Sequence, residues 1–131
     1  MNGPKQDKTD ALIHWNYSRD EWKRFMRWKK RREGVFRYTL YLLWPGKSSK
    51  TPDIIITKKE VRINDVHEVF HDGDHELRRI SIREAGKMNV LEITYENLSS
   101  RLHNTNDIYI LVPKGKLREA IELQERIREG R

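Results

Sequence analysis

Apolar positions along the middle of this chain alternate with polar ones or gather in short apolar runs, whereas at both ends of the chain they recur at helical spacing. Residues 35–43, 53–57, 60–64, 66–70, 76–84, 88–96 and 107–112 read as seven strands rich in Ile, Val, Leu, Tyr and Phe. Between Ile82 and Val90, the segment Glu84-Ala85-Gly86-Lys87 predicts a short hairpin turn in which Gly86 takes a positive φ. Ile80 and Ile82 would then line one inner face with Leu91 and Ile93. Asn97 to Asn106 is a polar loop before the last strand.

Two helices flank the strands. Ser18 followed by Glu21 forms a capping-box pattern, and Trp22, Phe25, Met26 and Lys29 follow at helical spacing until Gly34 stops the run. Trp15, Tyr17 and Trp28 are expected to join the packing of this helix, because large aromatic surfaces are usually buried. The polar residues 1–13, with Gly3 and Pro4, predict a loose arm. At the other end, Leu117, Ala120, Ile121, Gln124 and Ile127 predict a mostly apolar helix stripe opposite a face of Glu, Arg and Lys.

A chain of 131 residues fits one domain. Its expected divisions are an N-terminal arm over 1–17, a basic aromatic helix over 18–34 and a β domain over 35–131. Seven antiparallel strands must close on themselves or pair as two sheets, and one amphipathic helix is enough to plug an open end. The expected class is mainly β (α+β): a seven-stranded antiparallel barrel or sandwich capped by one C-terminal helix, with an amphipathic basic helix added at the N-terminus.

This order of elements, and the ending Ile108-Tyr109-Ile110-Leu111-Val112-Pro113-Lys114-Gly115-Lys116 followed by a helix, resembles the bacterial pleckstrin-homology-like (PH-like) domain family over residues 35–130. The resemblance implies a module for binding or assembly that works through strand edges and loops. Phosphoinositide-binding relatives grip phosphates with basic residues around the first two strands. The corresponding loop here offers Lys47 and Lys50, with Arg37 before it and Lys58 beyond the second strand. That second strand, Asp53-Ile54-Ile55-Ile56-Thr57, lacks the paired basic residues of such pockets.

Charge sharpens the picture. Residues 19–33 hold eight basic and three acidic side chains, which supply five of the chain's net seven positive charges. Positive charge on an aromatic amphipathic helix suits an anionic membrane surface or nucleic acid phosphates, nucleic acid being the lesser of the two expectations. The plain alternative is that the aromatic side packs on the β domain and the basic side is solvated. The candidate anion-binding residues are Lys23, Arg24, Arg27, Lys30 and Arg31, with Lys47 and Lys50 as additional contacts.

Other chemistry is poorly served. His67, His71 and His75 would share a face on a helix and could hold zinc or nickel with a carboxylate. Asp72-Gly73-Asp74 is a turn signal, however, and residues 66–70 read as a strand, so an exposed hairpin tip is expected and no metal site. Gly46-Lys47-Ser48 has the end of a phosphate-loop motif, but position 41 carries Tyr41 where the motif needs glycine, and Pro52 denies the following helix. No spacing nominates a catalytic set, and no cofactor is expected. Without cysteine there is no disulfide or thiolate chemistry. The longest apolar run, Leu40-Tyr41-Leu42-Leu43-Trp44, falls far short of the roughly 20 residues of a membrane span, and the N-terminus has no secretory signal pattern. The chain is therefore expected to be a non-enzymatic, cytoplasmic module for protein interaction or self-association, the alternative being electrostatic binding of anionic lipid or nucleic acid.

Overall fold

The computed structural model describes residues 11–33, 51–64, 66–99 and 101–129. The strand expected over 35–43, the helix stop at Gly34, and Lys47 and Lys50 lie outside the described residues. The elements are β1 (Ile13–Trp15), α1 (Arg19–Glu33), β2 (Ile54–Ile56), β3 (Glu60–Ile63), β4 (Val66–Val69), β5 (His75–Ala85), β6 (Met88–Asn97), β7 (Thr105–Val112) and α2 (Leu117–Glu129). The strands make two antiparallel sheets, β1-β2-β3-β4 and β5-β6-β7. Among the described residues no helix is long and apolar enough to cross a membrane.

The mainly β expectation holds, but not as a closed barrel: among the described residues no ladder joins the two sheets. Closure needs a continuous, staggered ladder around the barrel. The first sheet has strands of only three or four residues, against eight to eleven in the second. The turn at Asp72-Gly73-Asp74 is consequently not a hairpin tip, because β4 pairs with β3 and β5 pairs with β6. It is a crossover between sheets.

The start of the chain also departs from expectation. Where the expected loose arm ends, at Ile13, an unexpected strand begins: β1 pairs in register with β2, Ile13 opposite Ile56 and Trp15 opposite Ile54, and Trp15 and Tyr17 are buried as expected. Ile13 and Trp15 are buried and His14 is exposed. The alternation is genuine β patterning, but at three residues it is too short to stand out from its polar surroundings.

The second sheet is two-faced. Register places Ile80 opposite Ile93 and Ile82 opposite Leu91, as expected, with Ile108 and Ile110 beside them. This apolar face shares one buried cluster with Ile54, Ile56, Val61 and Ile63 of the first sheet and with α2. The burial of each such aliphatic side chain stabilises the fold by about 1.5–3 kcal/mol. On α2 the buried residues are Ala120, Leu123 and Ile127, whereas Leu117 and Ile121 are 40% and 47% exposed. The helix is thus rotated from the expected stripe. The Gln124 amide donates to the Ile80 carbonyl at 3.1 Å, and Arg128 reaches the same oxygen at 3.4 Å, which fixes that rotation.

Two turns shape one end of the second sheet. The β5–β6 turn has Gly86 at φ +63° as its first central residue, where a type II′ hairpin requires a positive φ. Pro113 to Lys116 is closed by the Lys116 amide on the Pro113 carbonyl at 3.0 Å, with Gly115 at φ +84°, the type II arrangement.

The helix α1 begins as the capping box predicts. The Ser18 amide donates to Glu21 Oε1 at 2.8 Å, and the Glu21 amide donates to Ser18 Oγ at 3.2 Å. Substituting Ser18→Ala should lower stability by about 1 kcal/mol in a urea melt, since one helix-end amide loses its acceptor.

Candidate anion-binding groove

Along the sequence, α1 carries seven cations between Lys23 and Arg32 and no acidic residue among them, and docking sorts them. Tyr109 and Leu111 alternate with Ile108 and Ile110 and so project to the other face of the sheet, where they are buried too. On that face α1 lays down a chain of rings: Tyr17 to Trp22 and Trp22 to Phe25 at 5.2 Å, Phe25 to Trp28 at 6.0 Å, and Trp28 edge-on to Tyr109 at 5.4 Å. The Tyr17 hydroxyl donates to the Leu111 carbonyl at 2.7 Å, and its burial, with Glu21 nearby, holds the phenol well above its ordinary pKa. Lys29 turns inward as well. It is 2% exposed, with Nζ 5.2 Å from the centre of the Tyr109 ring.

The remaining cations face outward. Lys23, Arg24, Arg27, Lys30 and Arg31 are all exposed. Arg24, Arg27 and Arg31 follow at i, i+3 and i+7 and therefore share one side of the helix. Together with Lys87 at the β5–β6 turn they line a groove of 570 Å³ whose other walls are Trp28, Ala85, Gly86 and Met88. Among the described residues none of these four cations has an ion-pair partner, and no acidic residue lines the groove. An adjoining cleft of 470 Å³ shares Arg24, Lys87 and Met88 and adds Lys114, but Asp20 and Glu21 line it too. Glu21 is already engaged there as acceptor of the Lys114 amide at 3.1 Å.

Beyond Ala85, the same face of β5 carries Arg83, Ser81 and Arg79 at alternate positions. Opposite Ser81 stands Glu92, whose side chain is only 4% exposed. Glu92 holds Arg83 at 2.9 Å and lies 3.9 Å from Arg79 Nη2, while the two arginines remain 39% and 63% exposed. One buried carboxylate therefore orients two outward-facing guanidinium groups, leaving net positive charge on that strand. Replacing Glu92→Gln should cost about 1.5–3 kcal/mol of stability in thermal or denaturant melts, the range for a hydrogen bond to a charged group. It should at the same time strengthen polyanion binding, because the groove side gains one net positive charge.

Three of the candidate residues, Arg24, Arg27 and Arg31, thus meet in one groove. Lys23 and Lys30 lie on α1 outside its lining. Lys87, Arg83 and Arg79 were not among the candidates, because only the sheet register brings the β5–β6 turn beside α1. Compared with known proteins, the chain matches no family model, no curated protein and no solved structure.

The histidines are dispersed. His67 Nδ1 lies 3.2 Å from Glu60 and His75 Nδ1 lies 2.8 Å from Asp72. Among the described residues no three His, Asp or Glu side chains converge as a metal would require. Desolvation raises the Glu60 pKa, but hydrogen bonds from Arg62 and His67 outweigh it and leave the carboxyl below its ordinary value. This ion-paired group braces β3 against β4. Its contribution is present at neutral pH and is lost as pH falls through the lowered pKa.

Proposed function

We propose that the protein is a non-enzymatic, cytoplasmic binding module of PH-like type that holds a polyanion in the groove between α1 and the β5–β6 turn. The observation that carries this is the convergence of Arg24, Arg27, Arg31 and Lys87 on a groove where, among the described residues, they have no ion-pair partners and no acidic residue joins the lining. Unpaired like charges crowded together repel one another, and a bound anion relieves that repulsion.

Self-association through a sheet edge has less support. The β5 edge is engaged at Ile80 by Gln124 and Arg128, and its ladder is irregular between Leu77 and Arg79. Bulges and charged side chains are the usual means of blocking an edge. The β4 edge offers four residues, with Val66 43% exposed, a short template for another strand.

Titrating inorganic polyphosphate into the pure protein at low and at physiological salt tests the proposal. Binding should be clear at low salt and weaken steeply as salt rises. Absence of binding at low salt, or binding indifferent to salt, would refute it.

A further inference from the structure

The shape of the groove narrows the choice of polyanion. Resting on the polyanion proposal, we infer that the groove takes a single strand of nucleic acid, phosphates along its basic banks and a base against its apolar floor.

Three features point this way. The cations line a concavity, with Arg24, Arg27 and Arg31 on the helix bank and Lys87 on the strand bank. A bilayer surface is flat and would meet only the rim. The floor between the banks is apolar and partly aromatic, formed by Trp28, Met88 and Ala85. Bare phosphate gains nothing from such a floor, whereas a phosphate backbone carrying bases does, since stacking on aromatic side chains is how sequence-tolerant single-strand binders hold bases.

Length and volume complete the case. A groove of 570 Å³ is the size of a small-molecule pocket and admits a nucleotide or two, not a duplex. The positive strip nonetheless continues along β5 through Arg83 to Arg79, about 20 Å from Ala85 at the foot of the turn at the usual rise of a strand. At about 3.4 Å per stacked nucleotide this length suits no more than about six nucleotides. At the other end Asp20 and Glu21 line the adjoining cleft, so the strand leaves over Arg83 and Arg79 and not toward Lys114.

The test uses the full chain and fluorescein-labelled oligothymidylate and oligouridylate of about a dozen residues, long enough to cover the strip. A duplex of the same length, phosphatidylserine vesicles and inorganic polyphosphate are the comparisons. Either single strand should bind more tightly than the duplex at equal salt. The four groove contacts alone predict a slope of log affinity against log salt of about −3 or steeper, and the Arg27→Gln/Arg31→Gln variant should make it shallower by about 1.4. Ultraviolet irradiation should crosslink the oligothymidylate to the peptide containing Trp28. An Arg126→Glu control, exposed on α2 and lining a different cleft with Leu12 and His14, should bind like the unaltered protein.

Four results would overturn the inference. If polyphosphate or vesicles bind through Arg27 and Arg31 but the oligonucleotides do not, single-strand binding is wrong and the polyanion proposal stands. Duplex binding as tight as that of the single strands likewise refutes single-strand binding and leaves the polyanion proposal standing. If the oligonucleotides bind equally to the Arg27→Gln/Arg31→Gln variant, the groove is not their site and both fall. Both also fall if no polyanion binds at low salt.

Discussion

Replacing Trp15→Ala should destabilise the protein by about 3–5 kcal/mol, a large share of the 5–15 kcal/mol total that domains of this kind possess. Trp15 is 1% exposed, stands opposite Ile54 at the edge of the first sheet, and donates its indole N–H to Glu119 Oε1 at 3.1 Å. It therefore joins the first strand to the last helix, two elements 104 residues apart in the chain. Truncation would leave a cavity between them and remove a hydrogen bond that, after the one from Lys116, holds the Glu119 carboxyl below its ordinary pKa. Denaturant unfolding provides the measure. Trp15→Phe, which keeps most of the ring and loses only the N–H, should cost much less. If Trp15→Ala melted like the unaltered protein, β1 would not tie the start of the chain to α2.

The strand at Ile13–Trp15, which the sequence pattern did not announce, shows where a sequence is legible. Long periodic segments declare themselves: residues 88–96 alternate over enough positions to outweigh chance, and β6 is found at Met88–Asn97. The capping box at Ser18 and Glu21 is equally local and equally legible. Ile13-His14-Trp15 has the right alternation, but its identity as a strand depends on Ile54 and Ile56, some forty residues away. The rotation of α2 depends on one side-chain amide finding the Ile80 carbonyl. Neither is written in a local window. The same limit explains the groove: the basic side of α1 was legible as charge, while Lys87 and the arginines of β5 became its neighbours only through register and docking.

The second large effect concerns binding. The Arg27→Glu/Arg31→Glu variant should bind inorganic polyphosphate at least about 30-fold more weakly than the unaltered protein at the same salt. Near an anionic surface each basic side chain contributes about 1 kcal/mol, so losing two amounts to roughly that factor before the added repulsion of two carboxylates is counted. Both arginines are exposed and line the groove, and neither has an ion-pair partner among the described residues, so the fold should survive the change. An unchanged melting temperature with lost affinity assigns the loss to the site. Equal affinity in the two proteins would place the anion elsewhere.

The most direct measurement is an NMR titration of the isotopically labelled protein with inorganic polyphosphate. If the groove is the site, the indole N–H of Trp28 and the backbone amides of Gly86 and Lys87 should shift together, while the β6–β7 loop around Arg101 to His103 stays still. Shifts centred on that distant loop, or none at Trp28, Gly86 and Lys87 when polyphosphate is in excess, would contradict the account.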